Sequence, residues 1–134
     1  MRQAILEVNN VTAGYGDTEV LHDVSLAVYP AEVIGIVGQS GSGKTSLLNC
    51  VLQLEPNLEI SSGKILYSHQ NLLTLNKKEY RRLFQDEIAV IFQNSNLTLV
   101  PTRKICSQFY ETTKGRLTQG ETRQKAYRLF EKFE

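Results

Sequence analysis

The sequence predicts an α/β fold organised around one glycine-rich loop, and three observations carry that prediction. Ala31-Glu32-Val33-Ile34-Gly35-Ile36-Val37 is an apolar, β-branched run that reads as a buried parallel strand. It leads directly into Gly38-Gln39-Ser40-Gly41-Ser42-Gly43-Lys44-Thr45-Ser46, which fits G-x-x-x-x-G-K-[ST]. Leu47, Leu48, Val51 and Leu54 follow at helical spacing, and Glu55-Pro56-Asn57 stops that helix.

The order strand, glycine loop, helix is what binding a nucleoside triphosphate requires. A β-phosphate must be surrounded by backbone N–H donors, so the chain has to wrap closely around it. Gly38, Gly41 and Gly43 allow the necessary dihedrals and close approach. Lys44 supplies a point charge for the β- and γ-oxygens, and the Thr45 hydroxyl is placed for Mg²⁺. The helix N-terminus adds its own positive end.

Bulk composition bounds the rest. The chain has 134 residues, 41% hydrophobic and 22% charged, with net charge +1. That is one domain's worth, able to bury roughly two-thirds of its surface. No apolar run approaches the ~20 residues that span a bilayer, and the N-terminus lacks a signal-peptide pattern. A soluble chain is expected, linked to a membrane only through a partner. Cys50 and Cys106 are too few for a disulfide framework and read as reduced thiols of a cytosolic protein. Residues 1–75 carry a net −4 and residues 76–134 a net +5. The basic charges of the second part alternate with acids over helical segments. They read as a solvated helix face, and no nucleic-acid partner is expected.

Along the chain, Ala4-Ile5-Leu6-Glu7-Val8 reads as a first strand, broken at Asn9-Asn10 and continued from Val11 into a loop at Asp17. Val20 to Tyr29 alternates as a second strand, ended by Pro30. Tyr15 sits between Gly14 and Gly16, where an exposed ring either stacks on adenine or packs on its own sheet. Ser61-Ser62-Gly63 reads as a turn before a short strand, Lys64-Ile65-Leu66-Tyr67. Asn76 and Glu79 form a capping-box pattern ahead of a helix striped by Tyr80, Leu83 and Phe84. Ile88-Ala89-Val90-Ile91-Phe92 is a second apolar strand, ended by Gln93. A glutamine there either ligates Mg²⁺ or faces solvent as a loop residue. After the polar loop Asn94 to Pro101, one helical segment carries Ile105, Cys106 and Phe109. A second starts at Thr118 with Glu121 as capping partner and carries Thr122, Ala126, Leu129, Phe130 and Phe133. The chain stops inside that pattern without a cap or breaker, as a cut chain would.

Together, Tyr15, the loop Gly38 to Ser46, Gln93 and the run Val90-Ile91-Phe92-Gln93-Asn94-Ser95-Asn96-Leu97-Thr98-Leu99-Val100-Pro101 resemble the ATP-binding subunits of ATP-binding-cassette (ABC) transporters. The last run, with Ser62 to Tyr67 and Asn71-Leu72-Leu73, is similar to the branch importing oligopeptides, dipeptides or nickel. Asn94-Ser95 and Val100-Pro101 depart from that branch's Asp-Pro and Asn-Pro. The resemblance implies ATP and Mg²⁺ as cofactors, with Tyr15 as the adenine platform and Gly38, Gln39, Ser40, Gly41, Ser42, Gly43, Lys44, Thr45 and Ser46 as the Walker A cradle. Thr45 and Gln93 would hold the metal, Gln93 as the Q-loop glutamine. It further implies transmembrane permease subunits and a second ATP-binding subunit in a head-to-tail dimer as partners. A solute-binding protein would act indirectly, and the location would be the cytoplasmic face of the cell membrane.

The implied architecture is a partial P-loop NTPase core (31–56 and 88–93), an antiparallel β-subdomain (1–30 and 63–67), and the start of a helical subdomain (94–134). No Asp-Glu strand end and no switch histidine follow Gln93, so the chain resembles the N-terminal half of such a subunit. Leu117-Thr118-Gln119-Gly120-Glu121 superficially resembles the family's signature, but reads better as a helix start. Two other readings stand beside this one: a truncated, non-catalytic nucleotide-binding fragment, and a P-loop enzyme of another kind such as a small-molecule kinase.

Overall fold

The computed structural model describes residues 2–92 and 99–132. The chain divides into two compact units, Met1–Tyr80 and Arg81–Glu134. The first is built on a sheet of four antiparallel strands, β1 (Leu6–Tyr15), β2 (Thr18–Val28), β3 (Glu59–Tyr67) and β4 (Gln70–Asn71), in the order β2-β1-β3-β4. Val8, Val11, Ala13, Leu21 and Ile65 bury one face of it. A fully buried aliphatic side chain contributes roughly 1.5–3 kcal/mol relative to an exposed one.

The sequence reading broke the first strand at Asn9-Asn10; the structure carries β1 through it as a bulge. Asn9 and Asn10 stand opposite the single Ser25, between the pairs Val8↔Leu26 and Val11↔Val24. One extra residue shifts the alternation, so the core positions run Val8, Val11, Ala13 instead of every second residue. Strand β2 answers with its own bulge, His22 and Asp23 lying opposite Thr12, so Leu21 and Val24 share the inner face. Asn10 and Asp23 both take positive φ, 52° and 50°. Side chains satisfy the displaced backbone: Asn10 N–H donates to Ser25 Oγ at 2.9 Å and Asp23 N–H to Thr12 Oγ1 at 3.1 Å. Asn10 Nδ2 donates to Asp23 Oδ1 at 2.7 Å.

Ser61-Ser62-Gly63, expected as a turn, also lies within a strand. Gly63 is the β3 residue opposite Asn10 and Val11, at φ 96°. A Cβ there would fall 2.5 Å from the Asn10 carbonyl oxygen, so two backbones meet where only glycine fits.

Helix α1 (Lys44–Leu52) covers this face with Leu47, Cys50 and Val51, beside Leu72 of the 3₁₀ turn Leu72–Thr74. It ends earlier than expected. Gln53 takes a left-handed cap at φ 44°, so Leu54 lies outside the helix and half-exposed, as Leu48 is. Gln53 Nε2 donates to Leu72 O at 2.7 Å, and the Tyr80 hydroxyl donates to Leu52 O. Burial raises the Cys50 thiol above its ordinary range, consistent with an unreactive packing residue.

The two expected parallel strands are corrected here: neither 31–37 nor 88–92 belongs to a strand. Val33 is 96% exposed and Val37 91%. A parallel interior strand exists by virtue of neighbours on both edges, and no described residue supplies a ladder to either run. The predicted α/β class itself holds, with an antiparallel sheet as its β component.

Helix α2 (Lys77–Asp86) starts in the first unit, where the predicted capping box forms. Asn76 Oδ1 accepts from Glu79 N–H and Glu79 Oε2 from Asn76 N–H, both at 3.0 Å. In the second unit, α3 (Ile105–Thr113) and α4 (Gln119–Phe130) meet through an edge-to-face pair, Phe109 and Phe130, 5.9 Å apart. Thr122, buried, shares a 2.7 Å hydroxyl contact with Thr113. Gln108 pins the segment before α3 by donating to Val100 O and Arg103 O and accepting from Val100 N–H. Arg103 forks onto Glu111, and Arg116 pairs with Asp86. At α4 the Thr118/Glu121 capping box is complete, and the Thr118 backbone N–H and then its hydroxyl hold the Glu121 carboxyl below its ordinary range. Gln93, the loop from Asn94 to Thr98 and Phe133 lie outside the described residues.

The bulge geometry yields a stability test. Gly63→Ala forces a side chain into a left-handed conformation, worth roughly 1–3 kcal/mol before the Asn10 contact is counted. Urea unfolding should show a lower midpoint with an unchanged slope. Ser62→Ala, one residue away and exposed, should stay within about 0.5 kcal/mol. Equal midpoints for the two variants would show that the bulge is not under this constraint.

Candidate nucleotide-binding site

The loop between 37 and 44 turns back on itself, Ser42 N–H donating to Gln39 O at 3.3 Å. Gly41 and Gly43 carry positive φ, 79° and 82°, as the motif requires. Gly43 is also the N-cap of α1, and there lies the difference from α2 and α4. No side chain caps α1, and its first turn contains no acid. Helix starts leave their first N–H groups without intrahelical acceptors. At α1 the glycine cap leaves those donors, in the first turn of Lys44, Thr45 and Ser46, to an acceptor from outside the helix. The dipole adds positive potential at the same point.

Lys44 folds back across the loop. Its Nζ donates to Gly38 O at 2.9 Å, Gln39 O at 2.5 Å and Ser42 Oγ at 3.3 Å. Those bonds hold an ammonium at the mouth of the loop. Thr45 is exposed in the first helical turn, with Ser46 beside it. One ammonium, glycine-led amide donors and several hydroxyls form a donor set that fits a polyphosphate anion.

The loop leans on the β1–β2 hairpin. A methyl group on Gly43 would lie 2.9 Å from Leu21 Cδ2 and 3.1 Å from the Val20 carbonyl oxygen. Tyr15 ends β1 at the tip of that hairpin, paired with Thr18 across Gly16-Asp17, and its ring is 38% exposed. The first unit therefore carries Tyr15 and Gly38 to Ser46 on connected elements. Gln93 lies outside the described residues. Leu21 was legible only as strand core; nothing in its residue type signals contact with the loop.

Another expectation finds its place. Thr118 to Glu121 form the expected helix cap. Asp86, one of the two carboxylates ahead of 88–92, is engaged by Arg82 at 3.6 Å and by Arg116.

A family model described as ABC transporter matches residues 21–134. The methionine import ATP-binding protein MetN of Clostridioides difficile is 39% identical over 93 residues, 69% of this chain and 28% of its own length. The dipeptide transport ATP-binding protein DppD of Lactococcus lactis is 33% identical over 114 residues, 81% of this chain and 33% of its own. The chain spans about a third of the length of the curated relatives it matches. Those relatives differ in solute, so no single import branch is singled out. The dimeric structure of MJ0796, a bacterial ABC transporter cassette, shares the fold with a TM-score of 0.75 at 24% identity, over 92% of this chain and 54% of that one. A match over most of its residues, on a chain whose glycine loop and helix start have the geometry described above, places this protein in the ABC transporter family, within the ATP-binding domain.

Proposed function

We propose that this chain is the nucleotide-binding portion of an ABC importer's ATP-binding subunit, coupling ATP binding and hydrolysis to solute uptake. The observation that carries the reading is the start of α1: a glycine cap, no capping side chain, and Lys44 held among the loop carbonyls. In this reading Gly38, Gln39, Ser40, Gly41, Ser42, Gly43, Lys44, Thr45 and Ser46 receive the phosphates and Tyr15 receives the adenine. Thr45, with Gln93, would hold Mg²⁺. The ion would neutralise charge on the transferred phosphoryl oxygens. The Lys44 ammonium would exchange its carbonyl partners for phosphate oxygens.

The partners in this reading are transmembrane permease subunits and a second ATP-binding subunit, with a solute-binding protein acting through the permease. The chain would sit on the cytoplasmic face of the membrane. Among the described residues no helix is long and apolar enough to cross it. Peptide or nickel is the proposed solute class, supported by the run from Val90 to Pro101 and by the likeness to a dipeptide transport subunit.

Nucleotide titration tests the core of this. Losing a hydrogen bond to a charged group costs roughly 1.5–3 kcal/mol, so Lys44→Ala should weaken fluorescent-ATP binding about 10- to 150-fold. Equal affinities in variant and parent would remove the phosphate-loop assignment. For the base, Tyr15→Phe should keep affinity and Tyr15→Ala lose it, since a stacking ring is worth roughly 1–3 kcal/mol. Identical behaviour of those two variants would mean that the ring is no base platform.

Hydrolysis is a separate matter. In-line attack needs a positioned water and a group to take its proton. No Asp-Glu pair follows an apolar run after Gln93 within these residues, and lack of a general base lowers a rate by roughly 10²–10⁴. The 134-residue polypeptide should bind Mg-ATP yet release phosphate no faster than its Lys44→Ala variant. Steady turnover abolished by that substitution would reveal a base within these residues.

A further inference from the structure

We propose that Leu21 is a positioning residue for the phosphate loop: acting through Gly43, it fixes where α1 begins and so how Lys44 and the first-turn N–H groups are presented. The inference rests on the phosphate-loop reading above and adds a residue that the motif does not contain. It follows from a contrast among helix starts. Helices α2 and α4 are begun by reciprocal side-chain caps, Asn76 with Glu79 and Thr118 with Glu121. Helices α1 and α3 have no such cap, and at α1 the cap position is a glycine, so its sequence leaves its first turn undetermined. What stops Gly43 from moving is tertiary. The space a Cβ would need is taken by Leu21 Cδ2 on one side and the Val20 carbonyl on the other.

Leu21 is well placed to act as a stop. It is 5% exposed and pairs with Ala13, itself fully buried. The His22–Asp23 bulge turns Leu21 and Val24 to the same face, and Asp23 is tied to β1 through Thr12 and Asn10. The constraint therefore runs from paired bulges, through a rigid aliphatic side chain, to a left-handed glycine at φ 82°. If that stop is loosened, Gly43 is free to take its other dihedrals and Lys44 leaves the register in which it crosses the loop.

A purely structural role would lower stability without touching the phosphate site, so the test separates the two. Leu21→Ala, Leu21→Val and Leu21→Met are compared with Ile65→Val, a buried β3 substitution. The probe is inorganic tripolyphosphate, which has no base, displacing a fluorescent ATP analogue from the folded chain. Leu21→Ala should bind tripolyphosphate about 3- to 30-fold more weakly, with Leu21→Val between it and the parent. Leu21→Met, which restores the volume, should bind as the parent does. Ile65→Val should lower the melting temperature with no change in tripolyphosphate affinity. Parental affinity in Leu21→Ala and Leu21→Val overturns the inference, as does an equal loss in Ile65→Val. If Leu21→Ala does not fold, Leu21→Val and Leu21→Met carry the same comparison. A parent that binds neither ATP nor tripolyphosphate overturns the phosphate-loop reading and this inference with it. A parent that binds both, with unchanged Leu21→Val, overturns this inference alone.

Discussion

An α-helix that starts without a cap carries several amide donors seeking acceptors, and in α1 that deficit sits directly behind a glycine loop. Helices α2 and α4 close this gap with their own side chains, whereas α1 and α3 do not. A serine or aspartate cap is barred at position 43, because its side chain would be strained at φ 82° and its Cβ would fall 2.9 Å from Leu21 Cδ2. Gly43 leaves the gap open. Lys44 completes the device: its stem spans the loop and its ammonium is held by carbonyls, a set of partners that a phosphate can replace.

That arrangement needs support from elsewhere, because a glycine at positive φ has little intrinsic preference for one conformation. The support comes from the antiparallel sheet. Its bulges include those at Asn9-Asn10 and His22-Asp23, where short polar side chains satisfy the displaced backbone, and an irregularity of β1 opposite Gly63. Each extra residue adds local twist and resets the inward-facing alternation. The outcome is that Val8, Val11, Ala13 and Leu21 share one face, with α1 against it. Polar residues on the outer surface of a sheet thus decide where an apolar side chain meets a phosphate loop.

How much of this was legible in the sequence follows from what each signal encodes. The loop motif was fully readable, because phosphate chemistry fixes residue types at fixed spacing in a contiguous stretch. The two capping boxes were readable for the same reason: donor and acceptor lie three residues apart, and local geometry suffices. The bulges were not. Asn9-Asn10 and Ser61-Ser62-Gly63 carry the same residue preferences as turns, since both need a positive φ. Only cross-strand pairing tells them apart. Leu21 was unreadable as a site residue because its role depends on a neighbour 22 positions away. Gln93 and its loop lie outside the described residues, so the metal side of the site stands on sequence alone.

Among the described residues, the contacts that position the loop lie on its helix side. An apolar, β-branched stretch entering a glycine loop invites the view that the strand aims the loop. Here Val33 and Val37 are almost fully exposed, and the run contributes no ladder to the sheet. The other side differs in every respect. Helix α1 buries Leu47, Cys50 and Val51, and its carbonyl end is secured through Gln53 and Tyr80. Its start is stopped against Leu21. The phosphate loop is therefore anchored from its helix and the hairpin beneath it. Among the described residues, α1 and the hairpin supply the contacts that hold the loop.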